Sequence, residues 1–248
     1  ETAHVRYFSD RPMRNYVDFL AEHGHDIQLH LHCNWLNFDH ERNASWPCIS
    51  DRCCDLHVER LTQVIREGAD RIKTWCGTAP STFRAGSFAT EASVFQALKA
   101  AEFKQSSTVC VAVHKPADRS LWLASGAVKI GSVKEYPVTC FQDVGPIGRG
   151  CLRPMQITSC SFSEMKYLLS QAHNLGYSDV VILTHPFEFL KRRDTRYTGM
   201  KKNKMIQGRF VKLCRYLRDN EDKFEISVFS DVENEEIEVT QNSKQIAG

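Results

Sequence analysis

Two histidines separated by one residue are the strongest chemical feature of this sequence. His30 and His32 alternate with Leu29 and Leu31. This period-two pattern is typical of a half-buried strand, and it places both imidazoles on one face. Neutral imidazole is a favoured zinc ligand. The pair is therefore either a divalent-metal site or part of an ordinary polar sheet face, and other segments of the chain favour the metal.

Two further polar residues follow predicted strands. Arg84 lies near the end of the predicted strand 81–85, and His185 follows the apolar run 180–183. The permanent charge of Arg84 needs a partner, which is either a carboxylate held by two hydrogen bonds or a structural ion pair. His185 is either a general acid or base near neutral pH or a histidine bonded to the backbone. Glu188 either pairs with His185 or faces solvent.

Strand-like and helix-like segments alternate along the chain, which predicts parallel βαβ units in an α/β barrel or a doubly wound sheet. In both folds, chemistry takes place at the carboxyl ends of the strands. We therefore expect His30, His32, Arg84 and His185 to converge on one cleft. The predicted strands are 27–31, 81–85, 108–113, 133–139, 180–183 and 226–229, with a loop at 141–155. The predicted helices begin at Pro12, near 55, after an N-cap at Thr90, at the capping box 161–164 and near 206.

Composition argues against several classes of partner. The net charge is +2, so neither nucleic acid nor a membrane surface is indicated as a general partner, and no apolar run is long enough for a membrane span. The ten scattered cysteines are typical of reduced thiols in a cytoplasmic protein. Cys48, Cys53 and Cys54 lie close enough together to suggest zinc, but no nearby residues complete four ligands. The sequence leaves the oligomeric state open.

A basic run supports one competing hypothesis. Residues 191–218 contain eleven Lys or Arg and one Asp, a density that could attract phosphorylated glycans or nucleic acid. However, Phe210, Leu213 and Leu217 have the spacing of an ordinary amphipathic helix. A solvated basic helix face is therefore the favoured interpretation.

Three segments together resemble a known family. Residues 24–35, 82–88 and 181–189 are similar to the second, third and fifth motifs of the polysaccharide deacetylases of carbohydrate esterase family 4. The resemblance is strongest to the subgroup associated with lipopolysaccharide biosynthesis, and it extends from about residue 10 to 231. It implies a distorted (β/α) barrel that removes acetyl groups from a sugar or polysaccharide. It also implies a divalent metal, commonly zinc, that polarises the acetamide carbonyl and activates water.

The resemblance also implies residue roles. His30 would be a metal ligand, and His32 is the candidate second ligand, because the residue four after His30 is Asn34 rather than a histidine. Arg84 would be the arginine of the third motif, and His185 the general acid that protonates the leaving amine. The candidate substrate-binding residues are Trp35, Gly86, Ser87 and Phe88.

Two departures from the family pattern lead to further expectations. No aspartate pair on a strand precedes residue 24, so we expect a deacetylase-like domain over 1–232 that lacks its first strand, with a frayed tail at 233–248. Without those aspartates, zinc binding should be weak and deacetylation slight, and Asp39 or His40 could supply a third ligand. Gln105 stands near the position of an aspartate that orients the family's arginine, so Arg84 should lack that charge. The alternative function is a catalytically inactive carbohydrate-binding relative.

Overall fold

The computed structural model describes residues 9–38, 48–144, 150–194 and 198–232. The chain divides into two compact units, of which the first contains most residues up to 137 and the second most residues from 138 to 226. The predicted tail at 233–248 lies outside the described residues. Within the described ranges, no helix is both long enough and apolar enough to cross a bilayer.

The first unit is built on a five-stranded sheet, with the strand order β1-β2-β3-β5-β4. The strands are β1 (Leu29–Leu31), β2 (Thr82–Ala85), β3 (Gln105–Ser106), β4 (Val128–Ile130) and β5 (Val133–Glu135). β1, β2, β3 and β5 run parallel, and β4 is antiparallel to β5 at one edge. The register places His30 directly beside Arg84. The α/β prediction is confirmed, but the sheet does not close on itself among the described residues, and the barrel stays a prediction.

Three helices belong to this unit: α1 (Arg11–Glu22), α2 (Val58–Cys76) and α3 (Ala92–Ala100). α2 ends at Gly77, whose φ of 80° lies in the left-handed region that favours glycine. The prediction that Thr90 caps α3 is wrong. Glu91 is the N-cap residue, and the Thr90 hydroxyl contacts the carbonyls of Phe88 and Thr108.

Three strand predictions in this unit need correction. The strand expected at 108–113 is wrong, because the Thr108 and Val109 amides donate to the side chain of Glu135 on β5 instead of to a backbone carbonyl. The pairing expected through 133–139 ends at Glu135, and Pro137 has no N–H with which to continue it. Residues 226–229 do not form a strand, and the side chains of Ile226 and Val228 are exposed.

The second unit contains two hairpins and two helices. They are β6 (Cys140–Gln142), β7 (Leu152–Pro154), α4 (Phe162–Asn174), β8 (Leu190–Arg192), β9 (Met200–Lys202) and α5 (Lys204–Arg218). The predicted capping box is confirmed: Ser161 accepts from the Glu164 amide, and the Glu164 carboxylate accepts from the Ser161 amide. α4 and α5 bury Met165, Leu168, Ile206 and Leu213 in a shared apolar core with Phe141, Met155 and Ile157.

Two predictions fail in this unit. The loop expected at 141–155 contains the ends of the β6–β7 hairpin. The strand expected at 180–183 is reduced to a single parallel bridge between Leu183 and Gln156. At Val181 the amide donates to the Thr139 side chain rather than to a backbone carbonyl, which interrupts the ladder.

Candidate functional site

His30 lies in β1 and His32 directly follows it, and their rings lie side by side, as the sequence pattern predicts. Leu29 and Leu31 are buried in the core of the first unit, whereas both imidazoles are only partly buried. The ring centroids are 4.7 Å apart in an edge-to-face arrangement. Since zinc–nitrogen bonds are about 2.0–2.1 Å long, two rings at this separation are close enough to reach one ion.

The neighbouring strand fixes the tautomer of His30. Its Nδ1–H donates to the carbonyl oxygen of Arg84 on β2, with an N···O distance of 2.9 Å. The lone pair of the neutral ring therefore resides on Nε2, the form that binds a metal. Burial lowers the pKa of His30 to about 4, and the charges of His32 and Arg84 act in the same direction. The ring is consequently neutral near pH 7.

A carboxylate fixes His32 in a similar way. Its Nδ1 lies 2.8 Å from Oδ2 and 3.0 Å from Oδ1 of Asp51. The Ser87 hydroxyl donates to the same Asp51 Oδ2 over 2.7 Å. Sequence reasoning missed Asp51, because it lies in a loop 19 residues beyond His32 and has no periodic relation to it.

The turn after β2 presses against the His32 ring. A Cβ atom on Gly86 would lie 2.6 Å from Nδ1 of His32 and 2.8 Å from its Cγ, too close for any ordinary contact. Ser87 and Phe88 follow with φ values of 54° and 52°, in the left-handed region. The segment that was predicted to bind substrate therefore also supports His32, and its contact with substrate stays a prediction.

The cluster of Ser87, Asp51 and His32 differs from a serine-hydrolase triad. In such a triad the histidine lies between the serine and the carboxylate, because it removes the proton of the nucleophile. Here Asp51 lies in the middle, and the Ser87 hydroxyl donates to a carboxylate oxygen. The arrangement is therefore suited to orienting His32 and unsuited to activating Ser87.

Arg84 is anchored by the strand region beside it. Its Nε donates to the Ser107 carbonyl over 2.9 Å, and a terminal nitrogen donates to the Ser107 hydroxyl over 2.7 Å. Its guanidinium carbon lies 5.9 Å from the centroid of the Phe88 ring. Among the described residues, no carboxylate lies within ion-pair distance of Arg84, so the structural ion pair is not formed there, and the role of Arg84 in holding a carboxylate stays a prediction.

Glu135 supplies Arg84 with a negative charge that the neutral Gln105 cannot provide. Its charge raises the pKa of Arg84, although burial of the guanidinium lowers that pKa overall. The Gln105 amide instead accepts a hydrogen bond from Thr82. The compensating charge at Arg84 therefore comes from Glu135, beyond ion-pair distance, and Gln105 supplies none, as expected. The missed signal is a glutamate within a predicted buried strand, which is rarely tolerated without a charged or hydrogen-bonding partner.

Glu135 is itself fully buried and only half satisfied. Its Oε1 accepts from the amides of Thr108 and Val109 over 2.8 and 2.7 Å. Its Oε2 has no hydrogen-bond partner among the described residues. Burial raises the pKa of Glu135, while the Ser106 hydroxyl, the two amides and Arg84 lower it in part.

Trp35 belongs to a short 3₁₀ helix, Cys33–Phe38, which directly follows β1. Its ring centroid lies 5.7 Å from that of Phe38, and the side chain is half-buried. Trp35 therefore lies on a segment that is continuous with β1, the strand that contains His30. Its role in substrate binding stays a prediction.

In the second unit, His185 pairs with Glu188, which resolves the alternative left open by the sequence. Nδ1 of His185 lies 3.1 Å from Oε1 of Glu188, and the ring stacks on Phe187. Burial would raise the pKa of Glu188, but hydrogen bonds from His185, Gln156 and Thr184 lower it overall. Glu188 is therefore a carboxylate that can orient the His185 ring.

The cysteine cluster does not form a metal site. Cys53 pairs with Cys33 at an Sγ–Sγ distance of 3.3 Å, whereas Cys48 is exposed and Cys54 contacts Arg52. Within residues 9–38, 48–144, 150–194 and 198–232, no three His, Cys, Asp or Glu side chains gather closely enough to hold a metal. The candidate third ligands Asp39 and His40 lie outside the described residues.

Residues 204–218 of the basic run form an amphipathic helix as predicted, although Phe210, which was expected on its apolar face, is exposed. α5 buries Ile206 and Leu213. Arg209 has a structural contact, because one of its terminal nitrogens donates to the carbonyls of Ile157, Thr158 and Cys160. This arrangement is compatible with a solvated basic helix face.

No family profile and no curated protein matches this sequence. Among solved structures, the chain resembles a crystal structure described as that of a "putative polysaccharide deacetylase from Mycobacterium smegmatis". The two share 15% sequence identity with a TM-score of 0.55, and the match covers 91% of this chain and 68% of the other. At this level of identity, the likeness shows that the chain has an α/β fold similar to that of the Mycobacterium protein.

Proposed function

We propose that this protein is a metal-dependent hydrolase that removes N-acetyl groups from a sugar or polysaccharide. The observation that carries the proposal is the pair His30 and His32, whose rings lie together while each Nδ1 faces an acceptor. With Nδ1 of each ring facing an acceptor, Nε2 is the nitrogen through which either imidazole would bind a metal. The fold it shares with the Mycobacterium protein supports a carbohydrate as the substrate.

Imidazole nitrogen is a favoured zinc ligand, and His30 and His32 would supply two of the three protein ligands of a catalytic zinc site; the described residues add no third. Bound zinc would supply Lewis-acid chemistry that polarises an acetamide carbonyl and lowers the pKa of water. Arg84 and Glu135 keep the neighbouring strand region in place, because Arg84 bonds to Ser107 and Glu135 to the two following amides. The carbonyl oxygen that accepts a hydrogen bond from His30 Nδ1 belongs to Arg84 itself. The same network therefore also holds the His30 ring on β1.

His185 is assigned the role of proton donor to the leaving amine. With Nδ1 facing the Glu188 carboxylate, the proton available for transfer is on Nε2. The lowered pKa of Glu188 keeps a negative charge beside the His185 ring. An orienting carboxylate of this kind is a common partner of a general-acid histidine.

The proposal is tested by zinc calorimetry and by acetate release from an N-acetylated aminosugar oligomer. Both should be measured on this chain and on a version extended upstream. We expect zinc binding in both, with weaker affinity and little acetate release in residues 1–248. Failure of both versions to bind zinc or to release acetate would contradict the proposal.

A catalytically inactive carbohydrate-binding protein is the second candidate. The observation that favours it is the lack, among the described residues, of a third metal-ligating side chain beside the histidines. Such a protein would bind the acetylated oligomer without releasing acetate from it, in the extended version as well. Sugar binding measured beside acetate release therefore separates the two functions.

A further inference from the structure

We infer that Asp51 is the positioning residue for His32, and that its negative charge strengthens metal binding through the imidazole. This inference rests on the proposed metal-dependent function. Both carboxylate oxygens of Asp51 lie within 3.0 Å of His32 Nδ1. A carboxylate that accepts the second N–H of a metal-bound histidine fixes the ring and raises its basicity.

Asp51 acts through His32 rather than as a ligand in its own right. Its oxygens are directed at Nδ1, and His30, His32 and Asp51 do not gather at one point as a three-ligand group, nor does any other set within the described residues. Two neutral imidazoles bring no negative charge to a divalent ion. A carboxylate one hydrogen bond away supplies that charge without occupying a coordination position.

The loop that carries Asp51 is fixed on both sides of it. On one side, the Asn37 amide donates to the Ile49 carbonyl over 2.6 Å, and the Ile49 amide donates back over 2.7 Å. On the other side, Cys53 is fully buried and contacts the Leu31 carbonyl and the Cys33 sulfur. Both anchors belong to the strand and 3₁₀ segment that bear the histidines, so Asp51 is held in register with His32.

Ser87 completes the arrangement at a conformational cost. The Ser87 hydroxyl donates to Asp51 Oδ2, and the Ser87 backbone has a φ of 54°. A left-handed conformation is unfavourable for a residue with a Cβ atom. Glycine would relieve that strain but lose the hydroxyl, so the structural and positioning roles of Ser87 predict opposite effects of Ser87→Gly.

The first experiment compares zinc affinity, measured by calorimetry, in the wild type, Asp51→Ala and Asp55→Asn. Asp55 is a control because it is an exposed acid in the short 3₁₀ helix that follows Asp51, and its carboxylate contacts Ser50 and Arg52. We expect Asp51→Ala to lose about 10–100-fold in affinity. Asp55→Asn should remain within about threefold, since long-range effects of an exposed charge are screened. Equal affinity of the wild type and Asp51→Ala would overturn the inference.

The second experiment separates this inference from the proposed function. Nitrogen-15 spectra of the imidazoles in metal-free protein report which ring nitrogen carries the proton. We expect His32 to be protonated on Nδ1 in the wild type and in Asp55→Asn, and to become a tautomer mixture in Asp51→Ala. If zinc does not bind but this tautomer dependence holds, the metal function fails and the positioning role stands. An unchanged His32 tautomer in Asp51→Ala overturns the positioning role whether or not zinc binds.

Ser87→Gly keeps the inference testable if Asp51→Ala fails to fold. This variant should melt at the same or a higher temperature than the wild type, because the left-handed strain is removed. Its zinc affinity should nevertheless fall severalfold, because Asp51 loses one of its donors. Unchanged zinc affinity in Ser87→Gly, with wild-type binding intact, would overturn the arrangement proposed here.

Discussion

Substitution of Gly86 by alanine should disable the histidine pair without a backbone penalty. Gly86 is buried in the turn after β2, and its φ lies outside the left-handed region. Alanine can therefore adopt the same backbone. The added Cβ would lie 2.6–2.9 Å from three atoms of the His32 ring. The whole effect should consequently fall on the position of that ring.

The size of the displacement follows from the structure. The nearest ring atom must move by at least 0.8 Å, the difference between 2.6 Å and the 3.4 Å at which ordinary contact begins. The hydrogen bond from Nδ1 to Asp51 Oδ2 is 2.8 Å long. N–H···O hydrogen bonds weaken beyond about 3.2 Å, so a shift of this size disrupts the bond. Loss of an orienting partner typically lowers metal affinity about 10–100-fold, or about 1.4–2.8 kcal/mol.

The assay is zinc calorimetry on Gly86→Ala beside a second glycine variant. Gly208 is a suitable control, because it lies within α5 and a Cβ there meets nothing within 4 Å. Gly208→Ala should keep wild-type zinc affinity and gain about 1 kcal/mol of stability from helix propensity. Zinc affinity of Gly86→Ala within about twofold of wild type, in a folded protein, would refute the reasoning. It would mean that His32 is not held in the ligating position by this turn.

Three further outcomes follow from the remaining groups. The pKa of His30 falls on folding from 6.5 to about 4, so its contribution to stability is complete above pH 6.5 and is lost as the pH falls towards 4. The free energy of unfolding of the metal-free protein, measured in urea, should therefore fall by about 2–3 kcal/mol as the pH is lowered across that window. In His30→Gln the free energy of unfolding should depend less on pH. Glu135→Gln should lower the free energy of unfolding at pH 7 by about 1–3 kcal/mol. The substitution removes the charge that acts on Arg84, and it leaves a buried amide N–H₂ where Oε2 has no partner among the described residues. A stability equal to that of the wild type would contradict this prediction. In an active, upstream-extended protein, His185→Ala should keep zinc but lose about 10²–10⁴-fold in turnover of an amide, and much less with an activated ester; equal losses together with loss of zinc would make His185 a ligand.

The sequence was most informative where periodicity alone determines structure. The alternation of Leu29, His30, Leu31 and His32 predicts both the strand and the shared face, because side chains alternate along any strand. The capping box at Ser161 and Glu164 is equally local, since its two hydrogen bonds lie within one helical turn.

The partners of these groups could not be predicted, because they depend on tertiary contacts. Asp51 reaches His32 from a loop, and the charge of Glu135 acts on Arg84 from a strand 51 residues further along. The failed strand at 108–113 has the same origin. The residue types of this segment favour a strand, but two of its amides donate to the buried carboxylate of Glu135. Such tertiary contacts override weak local preferences.

The two histidines are held by different means, and this difference has a consequence. His30 depends on a backbone carbonyl, which no side-chain substitution can remove, whereas His32 depends on the Asp51 side chain and a glycine. Substitutions around the site should therefore act mainly through His32. If the proposed metal binds through His32, its affinity would change through residues 51, 86 and 87 without any change in β1. The same two histidines could then serve a catalytic protein or a binding protein, depending on this outer layer of contacts.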